Sequence, residues 1–222
     1  MRFKIFGLTG LKGSGKDYIF QKYKEKFGNE NTVVENIKLA SPLKELTAQV
    51  FPNSKSWIED PIKKENPVFE GGKTLRDVMI YIGDLRKFSK NLWVDLVREK
   101  INKLIYEHKE NGVSELVIFV TDVRYGNEAE LIREFNGQIV SVFRPLIGKK
   151  ILRIINTFGV NFISKFIISI FYPKYSHKTE WNYWKLREQT DYEITNEDRN
   201  LEEGLTLLNN YNDKYFKRIK FD

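Results

Sequence analysis

The pattern of apolar and polar positions opens with a short apolar run, Phe3 to Thr9, that stops at a glycine. It is followed by Asp17 to Phe27, where Ile19, Tyr23 and Phe27 recur at four-residue spacing. That succession predicts strand, glycine turn and helix. A second β-prone stretch, Thr32 to Leu39, leads into Ala40-Ser41-Pro42, where Ser41 is placed to cap a helix and Pro42 to sit in its first turn. The segment Phe51 to Lys73 carries Pro52, Pro61, Pro67 and Gly71-Gly72 without a period and reads as an irregular loop. From Thr74 to Lys109 two helical faces appear, Leu75, Val78, Met79 and Ile82, then Leu92, Leu96, Ile101, Leu104 and Ile105, closed by Asn111-Gly112. Leu116 to Thr121 is almost wholly apolar, as a strand covered on both faces is; Asn127 to Phe135 is helical and Ile139 to Phe143 β-prone. Tyr192 to Thr195 forms a last strand and Leu201 to Leu208 a last helix. This alternation predicts an α/β protein, a three-layer α/β/α arrangement with a central parallel sheet and its ligand crevice at the carboxyl ends of the strands.

One stretch breaks the alternation. Ile151 to Tyr172 is strongly apolar yet interrupted by Arg153, Asn156, Gly159, Asn161 and Lys165. A membrane span wants about 20 predominantly apolar residues, and buried cations in it cost a few kcal/mol each, so no transmembrane span is expected. An amphipathic helical hairpin fits better. Its apolar side is read either as core packing, as contact with a second subunit in a homodimer, or as an anchor at a membrane surface.

Composition narrows the chemistry. At 222 residues with 41% hydrophobic and 30% charged positions, the chain holds enough apolar material for one core with one or two small inserts, which excludes global disorder. Zero cysteines exclude disulfides, a thiolate nucleophile and sulfur-ligated zinc, and two histidines exclude a His-rich metal site. Any metal must be held by oxygen. The balance of 37 basic against 30 acidic residues, net +7, favours anions of any kind: nucleic acid, anionic lipid or phosphorylated small molecules. Lysine excess also serves simply to solvate a surface. The segment MRFKIFGLTG lacks the apolar stretch and cleavage site of a signal peptide, which points to a cytoplasmic protein.

The sharpest chemical signal is Gly10-Leu11-Lys12-Gly13-Ser14-Gly15-Lys16-Asp17, a P-loop pattern lying between a predicted strand and a predicted helix. Glycines let the backbone wrap a phosphate with its N–H groups pointing inward; Lys16 reaches the outer phosphates, and the following helix offers its N-terminal dipole. A glycine turn that merely joins strand to helix is the plainer alternative. Asp17 stands where serine or threonine usually touches magnesium, and a carboxylate there either serves the ion, directly or through water, or caps the helix. After the apolar strand comes Thr121-Asp122-Val123-Arg124. Asp122 sits where a Walker-B carboxylate is expected, and Arg124 on a loop above the crevice can grip a phosphate in two places. The alternative is that the two pair with each other or cap the next helix.

Taken together these residues resemble the bacteriophage-type deoxynucleoside monophosphate kinases of the P-loop nucleotide-kinase superfamily. That family's loop reads SG-x-x-x-SGKD, with the same aspartate after the lysine. Further matches in order are Leu39-Ala40-Ser41-Pro42-Leu43-Lys44, Arg76 to Gly83 with Trp93-Val94, Asp122-Val123-Arg124, Arg144-Pro145, His177-Lys178-Thr179-Glu180, Asp191 to Asn196 and Leu201-Glu202-Glu203. The resemblance implies transfer of the ATP γ-phosphate to a deoxynucleoside 5′-monophosphate, with Mg2+. It implies one kinase domain over 1–222, with an acceptor-binding helical region near 40–110 and a lid region near 145–185. Lys16, Arg124 and Arg144 become the catalytic residues. Gly10 to Asp17 bind ATP. Lys44, Arg76, Arg86, Trp93, Asp122, Arg124 and Glu180 face the acceptor, and Asp17 and Asp122 serve the metal. Trp93 has core packing as its plainer role, and His177 with Glu180 a loop-ordering one.

The chain departs from the family in two places. About thirty residues, including the apolar stretch, separate Arg144-Pro145 from His177, where a short lid is expected, and one residue is missing after Gly83, which loosens the match at Asp84 and Arg86. Two rivals compete. Animal-type phosphomevalonate kinases share the SGKD loop, a PLKE-like turn and the D-x-R loop. A non-catalytic P-loop protein that holds nucleic acid is the other, although no RNP pattern, helix-turn-helix or arginine-rich run supports stable nucleic-acid binding.

Overall fold

In the computed structural model, which describes residues 1–60, 62–175 and 178–210, strand and helix alternate as the apolar runs require. In chain order the elements are β1 (Arg2–Thr9), α1 (Lys16–Phe27), β2 (Thr32–Lys38), α2 (Ser41–Val50), β3 (Pro67–Phe69), β4 (Lys73–Thr74), α3 (Leu75–Gly83) and α4 (Leu92–Glu110). They continue with β5 (Glu115–Thr121), α5 (Gly126–Glu134), β6 (Gln138–Phe143), α6 (Pro145–Phe158), α7 (Phe162–Phe171), α8 (Lys178–Arg187), β7 (Tyr192–Thr195) and α9 (Asp198–Asn209). The chain divides into two compact units, Met1–Asn36 with Leu104–Asp222, and Ile37–Lys103.

The first unit is built on a five-stranded sheet of order β2-β5-β1-β6-β7. β1 pairs in parallel with β5, from Arg2 opposite Glu115 to Leu8 opposite Thr121, and with β6, from Phe6 opposite Gln138 to Thr9 opposite Ser141; β6 pairs in parallel with β7. Because the later strands β5 and β6 flank β1 on either side, the sheet changes direction at β1. A crevice therefore opens over the carboxyl end of that strand. Leu116 to Thr121 of β5 are all buried, which is what the unbroken apolar run demands of a strand covered on both faces. Phe6, Tyr23 and Phe119 interlock on one face, with centroid separations of 5.3 Å for Phe6–Phe119 and 5.0 Å for Tyr23–Phe119, and Leu201, Leu205 and Leu208 of α9 close the same cluster.

A second cluster joins Leu11 of the glycine loop, Phe143 at the end of β6, Ile151 and Ile155 of α6, Ile168 of α7, and Trp181 and Trp184 of α8. The anomalous apolar stretch is thus the predicted helical hairpin. Core packing accounts for part of it only: Ile151, Ile155 and Ile168 are buried, while Phe162, Phe166, Ile170 and Phe171 are exposed. No described helix is long and apolar enough to cross a membrane.

The second unit holds α2, the antiparallel pair β3–β4, α3 and most of α4. Two expectations are corrected here. Ser41 does not cap α2: Ala40 occupies the cap position in helical conformation, Ser41 is the first helical residue, and its hydroxyl accepts from Lys100 Nζ at 3.1 Å. The stretch Phe51 to Lys73 is not wholly irregular, because 3-10 turns at Pro52–Trp57 and Lys63–Glu65 and the short β3–β4 hairpin order it. Prolines hide such pieces from any periodicity, since single turns are too short to show one. The start of α3 is fixed by a reciprocal cap, Asp77 N–H donating to Thr74 Oγ1 at 3.1 Å and Thr74 N–H to Asp77 Oδ2 at 2.9 Å.

Candidate active site

Four parallel strands end at one place. Thr9 of β1 passes into the glycine loop, Thr121 of β5 into Asp122, Phe143 of β6 into Arg144, and Thr195 of β7 into Asn196. The loop between β1 and α1 needs its glycines. Gly13 and Gly15 have φ of 80° and 100°, a region that side chains rarely adopt, and a Cβ on Gly10 would come within 2.6 Å of the Val142 carbonyl. Asn196 shapes the loop from the far side, its Nδ2 donating to the Ser14 carbonyl at 2.9 Å and lying against Gly15, while its own N–H donates to Phe143 O at 2.8 Å.

Lys16 is the buried cation at the centre. Its Nζ donates to the carbonyls of Gly10 at 3.0 Å and Leu11 at 3.3 Å and pairs with Asp122 Oδ1 at 3.3 Å. Asp122 reaches it through an uncommon backbone conformation for a residue with a side chain, φ 69°, fixed by the Val123 N–H donating to Leu8 O at 3.0 Å. Aspartate tolerates the left-handed region better than most residues, and such outliers gather where a side chain must be aimed. The alternative pairing of Asp122 with Arg124 is present, at 3.7 Å.

Arg124 makes its shortest contact with Glu180 Oε1, at 2.6 Å. Burial pulls the Arg124 pKa down, but Glu180, Asp122 and Glu128 outweigh it and hold the guanidinium charge above its ordinary value. The other oxygen of Glu180 accepts the backbone N–H of Lys12 at 2.7 Å, and the Glu180 side chain is only 4% exposed. A buried carboxylate therefore lies between a loop N–H and the guanidinium of the D-x-R loop, which are the two kinds of donor that bind phosphate oxygens. Arg144, at the start of α6, donates to Gly13 O at 3.3 Å. A cleft lined by Lys12, Gly13, Ser14, Arg144, Tyr175 and Tyr183 adjoins the loop.

Two groups that the sequence reading did not assign complete the site. Asn196 is one; it ends the matched stretch Asp191 to Asn196, which by itself gives it no role. Glu128 is the other. In the first turn of α5 it accepts the N–H groups of Arg124 at 2.7 Å and Tyr125 at 3.0 Å, which fixes the D-x-R loop. Burial, with a smaller push from Asp122, raises its carboxyl to about 7.

The fit of the site to its expected ligands can be judged from its own atoms. The hydroxyls of Thr9 and Ser14 are buried with no hydrogen-bond partner among the described residues, so the loop carries polar groups left over for a ligand. Among the described residues no three acidic or histidine side chains form a metal cluster. Magnesium does not need one: it is commonly held by one or two carboxylates together with phosphates and waters, a role open to Asp122, while Asp17 stands exposed in the first turn of α1. The other predicted residues lie in the second unit with partners of their own. Lys44 Nζ pairs with Glu59 at 2.7 Å, Arg76 with Glu65 at 2.6 Å and Arg86 with Asp84 at 3.8 Å, and Trp93 Nε1 donates to Gly83 O at 3.1 Å. His177 lies outside the described residues.

No family model matches the chain. Over 148 residues, 64% of this chain and 74% of the relative, it is 28% identical to a protein of Acanthamoeba polyphaga mimivirus named "Putative deoxynucleotide monophosphate kinase". Among solved structures it is similar to dephospho-CoA kinase from Campylobacter jejuni, with 14% identity, a TM-score of 0.42 and coverage of 93% of this chain and 97% of that one. Shikimate kinase from Bacteroides thetaiotaomicron gives 13% identity and a TM-score of 0.39, over 92% and 95% of the two chains.

Proposed function

We propose that this protein is a P-loop kinase that moves the γ-phosphoryl group of ATP to the 5′-phosphate of a deoxynucleoside monophosphate. The observation that carries the reading is the anion already seated at the loop, Glu180 held by Lys12 N–H and Arg124 at 2.7 and 2.6 Å. A site that binds a carboxylate in this way binds a phosphate oxygen by the same donors. The order of motifs along the chain, and a relative named as a deoxynucleotide monophosphate kinase, support the acceptor class.

Phosphoryl transfer asks a protein to align two phosphates, neutralise the charge between them and exclude water. In this reading the loop N–H groups and Lys16 bind the donor's outer phosphates. An oxygen of the acceptor phosphate forms a new bond to the γ-phosphorus as the bond from that phosphorus to the β,γ-bridging oxygen breaks, and ADP leaves. Arg124, freed from Glu180, stabilises the charge that develops on the transferring group, and Arg144 supplies a second guanidinium at the mouth of the loop. Asp122, with Asp17 next to Lys16 in the sequence, would hold magnesium, which would supply neutralising charge to the donor phosphates. The acceptor-binding roles of Lys44, Arg76, Arg86 and Trp93 are part of the proposal and rest on the resemblance.

The test is ADP release from Mg-ATP with a panel of deoxy- and ribonucleoside monophosphates and mevalonate phosphate. Turnover with one or more deoxynucleoside monophosphates is expected. Turnover with mevalonate phosphate alone would move the protein to the rival kinase family, and no turnover with any acceptor, joined to salt-sensitive DNA binding, would favour the non-catalytic reading.

A further inference from the structure

The α6–α7 hairpin carries an apolar face that the protein itself does not cover. Phe162, Phe166 and Ile170 follow one another at four-residue spacing along α7 and are 80%, 57% and 55% exposed; Ile163 and Phe171 beside them are 53% and 70% exposed. Four-residue spacing places side chains in one ridge. The Phe162 and Phe166 rings stack at 6.5 Å, so the ridge is a preformed surface rather than scattered residues. Opposite it, Ser164 and Ile168 are buried and fasten the helix to the body. The ridge is held outward by construction: Asn161 caps α7, its Oδ1 accepting from Ile163 N–H at 2.9 Å and Ser164 N–H at 3.2 Å.

The charge around this face selects its partner. From Pro145 to Tyr175 the sequence carries Lys149, Lys150, Arg153, Lys165 and Lys174 and no acidic residue. Lys149, Lys150 and Arg153 are exposed on α6. A second copy docked across a two-fold axis would bring two such hairpins together, each with cations only. An apolar ridge on a segment whose charged residues are all cations complements a layer that is apolar inside and negative at its surface. We infer that the α6–α7 hairpin docks the protein, in the plane of the interface, onto an anionic lipid bilayer, with Phe162, Phe166 and Ile170 inserted among the acyl chains and the basic residues at the headgroups. Shallow insertion of an apolar helix face with flanking lysine and arginine is a general mode of peripheral binding, and each basic residue near an anionic surface adds to it. This inference is independent of the kinase reading, since none of these residues belongs to the glycine loop or its partners.

Vesicle co-sedimentation of the full chain decides the matter, using phosphatidylcholine vesicles with and without about one third phosphatidylserine, at low and high salt. The expected result is binding to the anionic vesicles at least about tenfold tighter than to the neutral ones, weakened by salt. The double variant Phe162→Ser/Phe166→Ser, and separately Lys149→Glu/Lys150→Glu/Arg153→Glu, should each lose at least about tenfold in partition, with unchanged circular dichroism and unchanged ATP affinity. Wild-type protein left in the supernatant with anionic vesicles overturns the inference, as does a double serine variant that binds as well as wild type. Light scattering adds a third way to fail: a dimer that Phe166→Ser dissociates would show that a second copy covers the face.

Discussion

At the residue scale four side chains meet beside the glycine loop: Lys16, Asp122, Arg124 and Glu180, linked by contacts of 3.3, 3.7 and 2.6 Å. Removing the Lys16 ammonium takes away the one buried cation at the loop among the described residues, and Lys16→Ala should lower kcat by about a hundredfold or more in a steady-state assay, with the unfolding transition retained. Glu180→Gln should instead be felt in stability. Stripping the charge from one partner of a buried pair costs up to about 3–5 kcal/mol, and the loss here should fall at or below the lower end because Arg124 is 25% exposed and keeps Asp122. Urea unfolding measures it. Glu128 gives a pH signature. Its carboxyl is raised from 4.5 to about 7 in the folded protein, so the folded state holds a proton that the unfolded chain has released between those values. Its stabilising contribution is therefore full below about 4.5 and is lost as the pH rises through about 7. Glu128→Gln should gain in Tm relative to wild type on going from pH 5 to pH 8; a difference that stays flat with pH would show the group is not so perturbed. The meeting of Lys16, Asp122 and Arg124 was legible in the sequence because their positions follow from spacing after a strand. The contacts of Glu128 and Asn196 were not, because one acts by capping backbone N–H groups and the other by crossing from β7 to the loop; Asn196 closes a matched motif, but that motif does not say what it touches.

Most strands and helices announced themselves at the scale of the element, since β5 has an unbroken apolar run and α3 and α4 have clear faces. What escaped were the helix α8, where the pattern predicts no element, pieces shorter than a period, the 3-10 turns and the β3–β4 hairpin between Phe51 and Thr74, and the true cap of α2. The cap that does matter in the second unit is Thr74. Losing its reciprocal bonds with Asp77 in Thr74→Ala should cost about 1 kcal/mol by chemical denaturation. The hairpin of α6 and α7 was visible as an apolar anomaly, but which of its residues face inward was not, because Ile168 and Ile170 look alike until α8 places its tryptophans. Burial separates them. Ile168→Ala should cost about 2–4 kcal/mol, against little for Ile170→Ala on the exposed ridge, measured as paired shifts in unfolding midpoint.

The excess of basic residues divides into three parts when the whole molecule is considered: Lys16, Arg124 and Arg144 at the glycine loop, the all-cationic hairpin, and a remainder of paired or solvated side chains. Ligand and lipid would then draw on different portions of the same +7. If the loop is a donor-phosphate site, ATP at about 100 times its dissociation constant should stabilise the native state by about 2.7 kcal/mol, and Lys16→Ala should weaken that response. The central claim is narrower than nucleotide binding: it is that a phosphoryl group moves. The most direct measurement is to incubate the protein with ATP labelled in its γ-phosphate, magnesium and a deoxynucleoside monophosphate, and to follow the label. The account predicts label in the β-position of the deoxynucleoside diphosphate, lost with Lys16→Ala; label that stays in ATP, or appears only as inorganic phosphate with every acceptor, would contradict it.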